Sequence, residues 1–357
     1  MVKTRTFTKK RRFWAGLLLA QFVFFWGLSK SEGAVRLFGK WFEWQRSVHQ
    51  PLFASVDLSV GDGLYIGAVL FFVYHFWGLF RSCRRQRSGV RLLQGAVIFY
   101  FFYQLFWGLL YFQRPISSVL SDEKVSLEQT KRLALIYLEK CQRSRMQVQE
   151  DGAGVFVVRD ISALKHHLFS DQRLLPVPFR CERLASSIKP SMFGSLMSYT
   201  GILGYYNPFT AEAQYNASLP SSFIPMTMAH ETAHQMGYAR EQEANFIGFL
   251  IGRNSRNPEL RYSAEFFALK SLLRTIQAED AFFVEQCLKA FSEGMQRDRL
   301  NEKEFMVRHS GPADAFFSFA NHWFLKSNRQ EGLVTYDYFT DLLLRYEIYG
   351  FAAADNP

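Results

Sequence analysis

Met226-Thr-Met-Ala-His230-Glu231-Thr-Ala-His234-Gln-Met-Gly237 is the stretch on which the reading of this chain turns. His230 and His234 are four residues apart, so on a helix both imidazoles leave the same face and can fill two positions of a tetrahedral Zn2+ site. Glu231 is offset by about 100° around that helix, near the ion without having to ligate it. A carboxylate there can take a proton from a water whose pKa the metal lowers toward ~7, then pass it to a leaving amine. The flanks agree with a short helix. Pro225 suits its start, Thr232 and Ala233 are small, and Gly237 can end it with a left-handed turn.

Arg240-Glu241-Gln-Glu243-Ala244-Asn245-Phe246 comes next and reads as a second helix that folds back to offer a third ligand. If Glu241 faces the metal, Ala244 and Asn245 lie one turn along on the same side. The small Ala244 then lets the two helices approach, and the Asn245 side-chain oxygen can accept from a ligand imidazole N–H. Glu243 shares its face with Phe246 and Ile247, a less polar stripe. Glu241 is therefore favoured, and Glu243 stays the alternative ligand.

Working outward, Leu127 to Arg145 has the period of an amphipathic helix, and Gly154 to Arg159 reads as a short strand. Met192 to Leu219 suggests one or two strands with turns at Gly204 and Asn207-Pro208. Beyond residue 226 the pattern is helical almost to the end, broken near Gly237, Gly252, Gly311-Pro312 and Gly332. The expected class is α+β, mostly helical, with a small sheet.

The net charge of +10 would point to nucleic acid if it were spread over the chain. It is concentrated instead in Lys3, Arg5, Lys9, Lys10, Arg11 and Arg12 and in Arg81, Arg84, Arg85, Arg87 and Arg91; without these eleven the chain carries −1. Both clusters flank apolar runs, which is the positive-inside pattern of a membrane protein, so nucleic acid is not expected as a partner and the lipid bilayer is. Three transmembrane helices are expected at 13–28, 63–80 and 92–112, the first an uncleaved anchor. Arg clusters in the cytoplasm put the amino terminus inside, the loop 29–62 outside and residues 113–357 outside. Residues 1–112 thus form a membrane domain and 113–357 an extracytoplasmic domain of about 245 residues. Cys141, Cys181 and Cys287 would lie in an oxidising space, where one disulfide can form.

Residues 189–250, from Lys189-Pro-Ser through Tyr206-Asn-Pro-Phe-Thr-Ala-Glu212-Ala-Gln-Tyr-Asn216 into the His-Glu-Thr-Ala-His and Glu-Gln-Glu-Ala-Asn-Phe runs, resemble an uncharacterised family of bacterial membrane proteins. That family is a domain of unknown function classed among the zincin-type metallopeptidases. Trp107-Gly-Leu-Leu-Tyr111 and Thr335-Tyr-Asp-Tyr are similar to it as well. The Glu-x-x-x-Asn run also resembles the third-ligand helix of other zincins, which lands on Glu241 and Asn245, although membrane zincins of that kind place the Glu farther downstream of the second His. The resemblance implies a zincin-like domain in the bacterial inner membrane, multi-pass, cutting a peptide or protein substrate outside the cytoplasm. It also makes Gly201 to Asn216 the expected edge for an extended substrate, with Glu212 and Asn216 fixing it.

The expectation is a zinc metallopeptidase with His230, His234 and Glu241 as ligands and Glu231 as general base. The alternative is a non-catalytic membrane-anchored scaffold or binding protein that keeps the fold. An intramembrane protease is disfavoured, because Arg240, Glu241 and Glu243 follow the His-Glu helix within ten residues. Tyr205, Tyr206, Tyr238, Arg240 and His322 are conceivable oxyanion donors. His166-His167 is a weak candidate for a second metal site.

Overall fold

A computed structural model describes residues 2–312 and 335–352. The chain divides into two compact units, the first made of residues 1–113 with 207–212, the second of 114–206 with 213–357.

The first unit is helical: α1 (Val2–Leu28), α2 (Glu32–Ala54), α3 (Val60–Gly78) and α4 (Arg85–Phe106). Side-chain caps set two starts, with Ser31 Oγ accepting from Ala34 N and Ser59 Oγ from Asp62 N. Glu212 adds its carboxylate to the start of α3, accepting from Val60 N at 3.2 Å and Gly61 N at 2.6 Å, where a helix amino terminus favours negative charge. Phe209 packs its ring on Tyr65 and Phe99.

Helices α3 and α4 are each long and apolar enough to cross a membrane; α1 qualifies only when taken together with α2, from which it bends by 103°. The segment expected as the loop 29–62 is mostly α2. Its charges hid an amphipathic period whose buried positions are Val35, Phe38, Phe42, Gln45, Arg46 and Gln50. The span expected to reach 112 leaves the α-helix after Phe106, because Trp107 departs from helical dihedrals and Gly108–Phe112 tightens into a buried 3-10 turn.

The second unit is built around α10 (Pro258–Gln277). Leu260, Tyr262, Ala264, Phe266, Ala268, Leu269, Leu272 and Ile276 are wholly buried there, so this helix has core on nearly every side. It packs against α5 (Leu127–Arg145), α8 (Ile224–Gln235), α9 (Glu241–Arg253) and the helix Thr335–Ile348. Helices α6 (Ile161–Ser170), α7 (Gly194–Tyr199), α11 (Ala281–Lys289) and α12 (Glu293–His309) also belong to it. Helix α5 has the expected bounds and begins with a reciprocal Ser126–Gln129 cap.

Three short strands, β1 (Ile188–Pro190), β2 (Gly204–Asn207) and β3 (Glu212–Tyr215), form a sheet of order β1-β3-β2. β1 and β3 are parallel, with Ile188 opposite Ala213 and Pro190 opposite Tyr215. Two local readings are corrected. Gly204 opens β2 rather than making a turn. Residues 154–159 hold a single bridge, Glu150 to Phe156, instead of a strand: Asp151 N donates to Val155 O and Val157 N to Gln149 O, while Phe156 N, on the outer side of this pair, donates to Asp298 Oδ1. All four cysteines are free thiols, including the three considered for a disulfide.

Candidate metal centre

Helix α8 carries the His-Glu motif, and its start is held from behind. Met226 N donates to Ser263 Oγ, whose hydroxyl donates to Ser222 O; Ser222 Oγ in turn donates to Glu302, which Lys270 Nζ grips at 2.6 and 2.7 Å. The helix has no side-chain cap of its own, and this network from α10 and α12 replaces it.

His230 and His234 stand side by side, ring centroids 4.6 Å apart. Each is steered by its inner nitrogen. His230 Nδ1 donates to Asn245 Oδ1 at 2.8 Å, and His234 Nδ1 donates to the Tyr238 carbonyl oxygen at 2.7 Å. Both Nε2 atoms then face Glu241, the first residue of α9, at 3.2 Å from Oε2 and 3.5 Å from Oε1. In neutral rings of this tautomer the Nε2 atoms present lone pairs, so acceptors face acceptors around one point unless a cation or a proton lies between them. Bonds of about 2.0–2.2 Å to a tetrahedral ion would set ligand atoms about 3.3–3.6 Å apart, which matches the spacing found. These residues fit Zn2+.

Two carboxylates border the pair. Ligand atoms of His230, Glu231 and His234 lie within 4.8 Å of one another, and Glu241 is in direct contact with both rings, at 3.2 and 3.5 Å. Glu231 is 3% exposed, and its Oε2 has no hydrogen-bond partner among the described residues. Burial pushes its carboxyl up to about 8, with His230 pulling it down and Glu241 adding to the rise. Burial acts on Glu241 too, but the two imidazoles that face it, His234 foremost, outweigh it and hold that carboxyl below the usual range. The same surroundings thus push the two neighbouring carboxyls in opposite directions.

Glu243 faces away from the imidazoles. It is buried, accepting from Ile116 N at 2.9 Å and from Arg240 Nη1 at 2.8 Å. Of the oxyanion candidates, Tyr238 donates its hydroxyl to Phe179 O, and Arg240 is committed to Glu243. Tyr205 and Tyr206 lie on β2 beside Gly204, and His322 lies outside the described residues. Asn216 does fix its segment, donating to Ser198 Oγ and accepting from Ser218 N, whereas Glu212 serves the start of α3. His166 and His167 join no metal-binding cluster among the described residues.

Two glycines complete the site, and neither stood out as a site residue in the sequence. A Cβ on Gly248 would sit 2.8 Å from His230 N, so Gly248, with Ala244, sets how closely α9 lies on α8. A Cβ on Gly204 would sit 2.7 Å from both Cγ and Oε1 of Glu231 and 2.8 Å from Gln214 O, so the bare backbone of β2 forms one wall of the Glu231 pocket. A glycine three or four residues after a small residue on a helix facing the motif was the signal available for Gly248. Gly204 had none, since its neighbour lies 27 positions away.

The chain belongs to the family described as Protein of unknown function (DUF3810), which it matches over residues 38–344. No curated protein and no solved structure matches it.

Proposed function

We propose that this protein is a membrane-anchored, zinc-dependent metallopeptidase of zincin type. The observation that carries the reading is the convergence of His230 Nε2, His234 Nε2 and the Glu241 carboxylate, with the buried Glu231 carboxylate within 4.8 Å of the two histidine ligand atoms. His230, His234 and Glu241 would hold the ion, with Asn245 and the Tyr238 carbonyl fixing the two rings. Bound Zn2+ would supply a water acidified toward ~7 and polarise the scissile carbonyl. Glu231 takes the proton from the attacking water and delivers it to the departing amine. Its pocket keeps solvent away from that carboxylate.

β2 is an outer strand of its sheet and passes against Glu231 at Gly204. An extended peptide laid along it by strand addition would bring a carbonyl beside the general base, which favours a peptide over a small ester or amide as substrate. The two basic clusters favour a membrane protein with the amino terminus in the cytoplasm, residues 1–112 as membrane domain and 113–357 outside, and the family resemblance favours a bacterial inner membrane.

The test uses the full chain purified in detergent. Wild type should hold one Zn2+ and cleave unfolded casein as a generic peptide probe. Glu231→Gln should keep the metal and lose about 10²–10⁴-fold in rate. Undiminished cleavage by Glu231→Gln would overturn the mechanism. A folded wild type that takes up no zinc would leave the non-catalytic scaffold as the better reading.

A further inference from the structure

Helix α2 has three distinct sides. One is packed within its own unit through Val35, Phe38, Phe42, Gln45, Arg46 and Gln50. A second, Leu37, Trp41, Trp44, Val48 and Leu52, recurs at the helical spacing of four, three, four and four, and is 36–68% exposed although wholly apolar. The third carries Glu32, Arg36, Lys40, Glu43 and Ser47 along the remaining flank. A helix facing water needs no second apolar stripe, and a helix crossing a bilayer could not carry the charged one.

The level of α2 is fixed by contacts within its unit. Trp41 Nε1 donates to the Leu105 carbonyl oxygen at 3.0 Å, His49 packs on Phe106 with centroids 5.2 Å apart, and Phe42 packs on Trp107 at 5.9 Å. All three partners lie where α4, a helix long enough to span a bilayer, comes to its end. The chain reaches this level through α1 and then turns by 103°. Trp41 and Trp44, in ring contact at 5.0 Å, are the side chains that favour the boundary between headgroups and acyl chains.

We infer that α2 lies flat in the membrane interface at the end of α4, its Leu37-Trp41-Trp44-Val48-Leu52 stripe seated in the acyl boundary of that leaflet and its Arg36-Lys40-Ser47 flank in the headgroups. The occupant of the exposed apolar stripe is therefore lipid. The inference rests on α3 and α4 crossing a bilayer, as the proposed membrane anchoring requires.

The experiment uses the full chain with Cys83→Ser and Cys181→Ser, which leaves only the buried Cys141 and Cys287, reconstituted in phosphatidylcholine vesicles. Single cysteines at Leu37, Val48, Arg36, Ser47 and, within α3, Leu70 are labelled before reconstitution with an environment-sensitive fluorophore. Doxyl groups placed at shallow or deep positions on the lipid chains then act as quenchers. The labels at 37 and 48 should be quenched most by shallow doxyl, the label at 70 by deep doxyl, and those at 36 and 47 at least several-fold less by either. Quenching at 70 without quenching at 37 and 48 would overturn the inference, whether those labels are in water or covered by protein. Absence of quenching at 70 would remove the membrane reading on which it rests.

Discussion

The Nδ1 of His234 lies 2.7 Å from the carbonyl oxygen of Tyr238, a group delivered to it by the reversal of the chain at Gly237, whose φ is +104°. Only glycine adopts that conformation without strain. Gly237→Ala should shift the Tyr238 carbonyl away from the imidazole and weaken zinc binding by about 10–100-fold, the usual cost of losing a group that orients a ligand histidine. Competition against a chromophoric chelator would measure it, and unchanged affinity in a folded variant would refute the role assigned to the turn.

Asn245 plays the same part for His230. Asn245→Leu, which keeps the volume and removes the acceptor, should cost about 10–100-fold in zinc affinity. Asn245→Asp should retain most of it. A pair of variants with equal affinity would show that the side chain acts by packing alone.

Glu241 and Glu243 separate cleanly. Glu241→Ala should abolish stoichiometric zinc in a chain that still folds. Glu243→Ala leaves Ile116 N and Arg240 without their buried acceptor and should cost about 1–3 kcal/mol of stability while the folded fraction keeps its metal. Zinc content measured beside thermal unfolding reads both; loss of zinc only in the Glu243 variant would reverse the assignment.

Gly248→Ala adds a methyl 2.8 Å from the backbone nitrogen of His230, where no flexible side chain can yield. Overpacking of this sort costs about 1–3 kcal/mol. The variant should melt earlier and bind zinc less tightly, since α9 must move away from α8 and take Glu241 with it. A lower melting point with unaltered zinc affinity would show that the two helices separate elsewhere.

Glu265 supplies a pH dependence away from the metal. Burial raises its carboxyl above the ordinary value, opposed by the Ser144 hydroxyl at 2.6 Å and by Lys140, Arg261 and Arg253. Between the unfolded and the raised native pKa the folded chain holds a proton that the unfolded chain has lost, so stability falls as pH rises through that window. Glu265→Gln should match wild type near pH 4 and melt higher at pH 7. A Gln variant that melts lower than wild type at pH 7 would mean that the charged form is the one the fold favours.

The legible parts of this protein are those written locally. The four-residue spacing of His230 and His234, the left-handed Gly237 and the amphipathic period of 127–145 each depend on residues within a few turns, and a sequence displays them directly. The placing of Glu241 toward the rings and Glu243 away from them follows from the apolar stripe of Phe246 and Ile247. What stayed hidden depends on distant partners. Ser263 and Glu302 hold the start of α8 from 37 and about 80 positions away, and Gly204 touches Glu231 only because the sheet folds across it. α2 escaped for another reason: a helix with two apolar faces and a charged flank averages to an unremarkable loop in any measure of composition.

The proposed metal ligands and the groups that aim them all fall between residues 230 and 245, in two successive helices and one turn. Contacts this close in sequence close early when a chain folds, because little loop entropy opposes them. The wall at Gly204 joins late by the same measure. On the proposed reading, the ion site and the pocket of the general base are closed by contacts of different range, so a variant that loosens the sheet at Gly204 should keep its metal and lose its cutting.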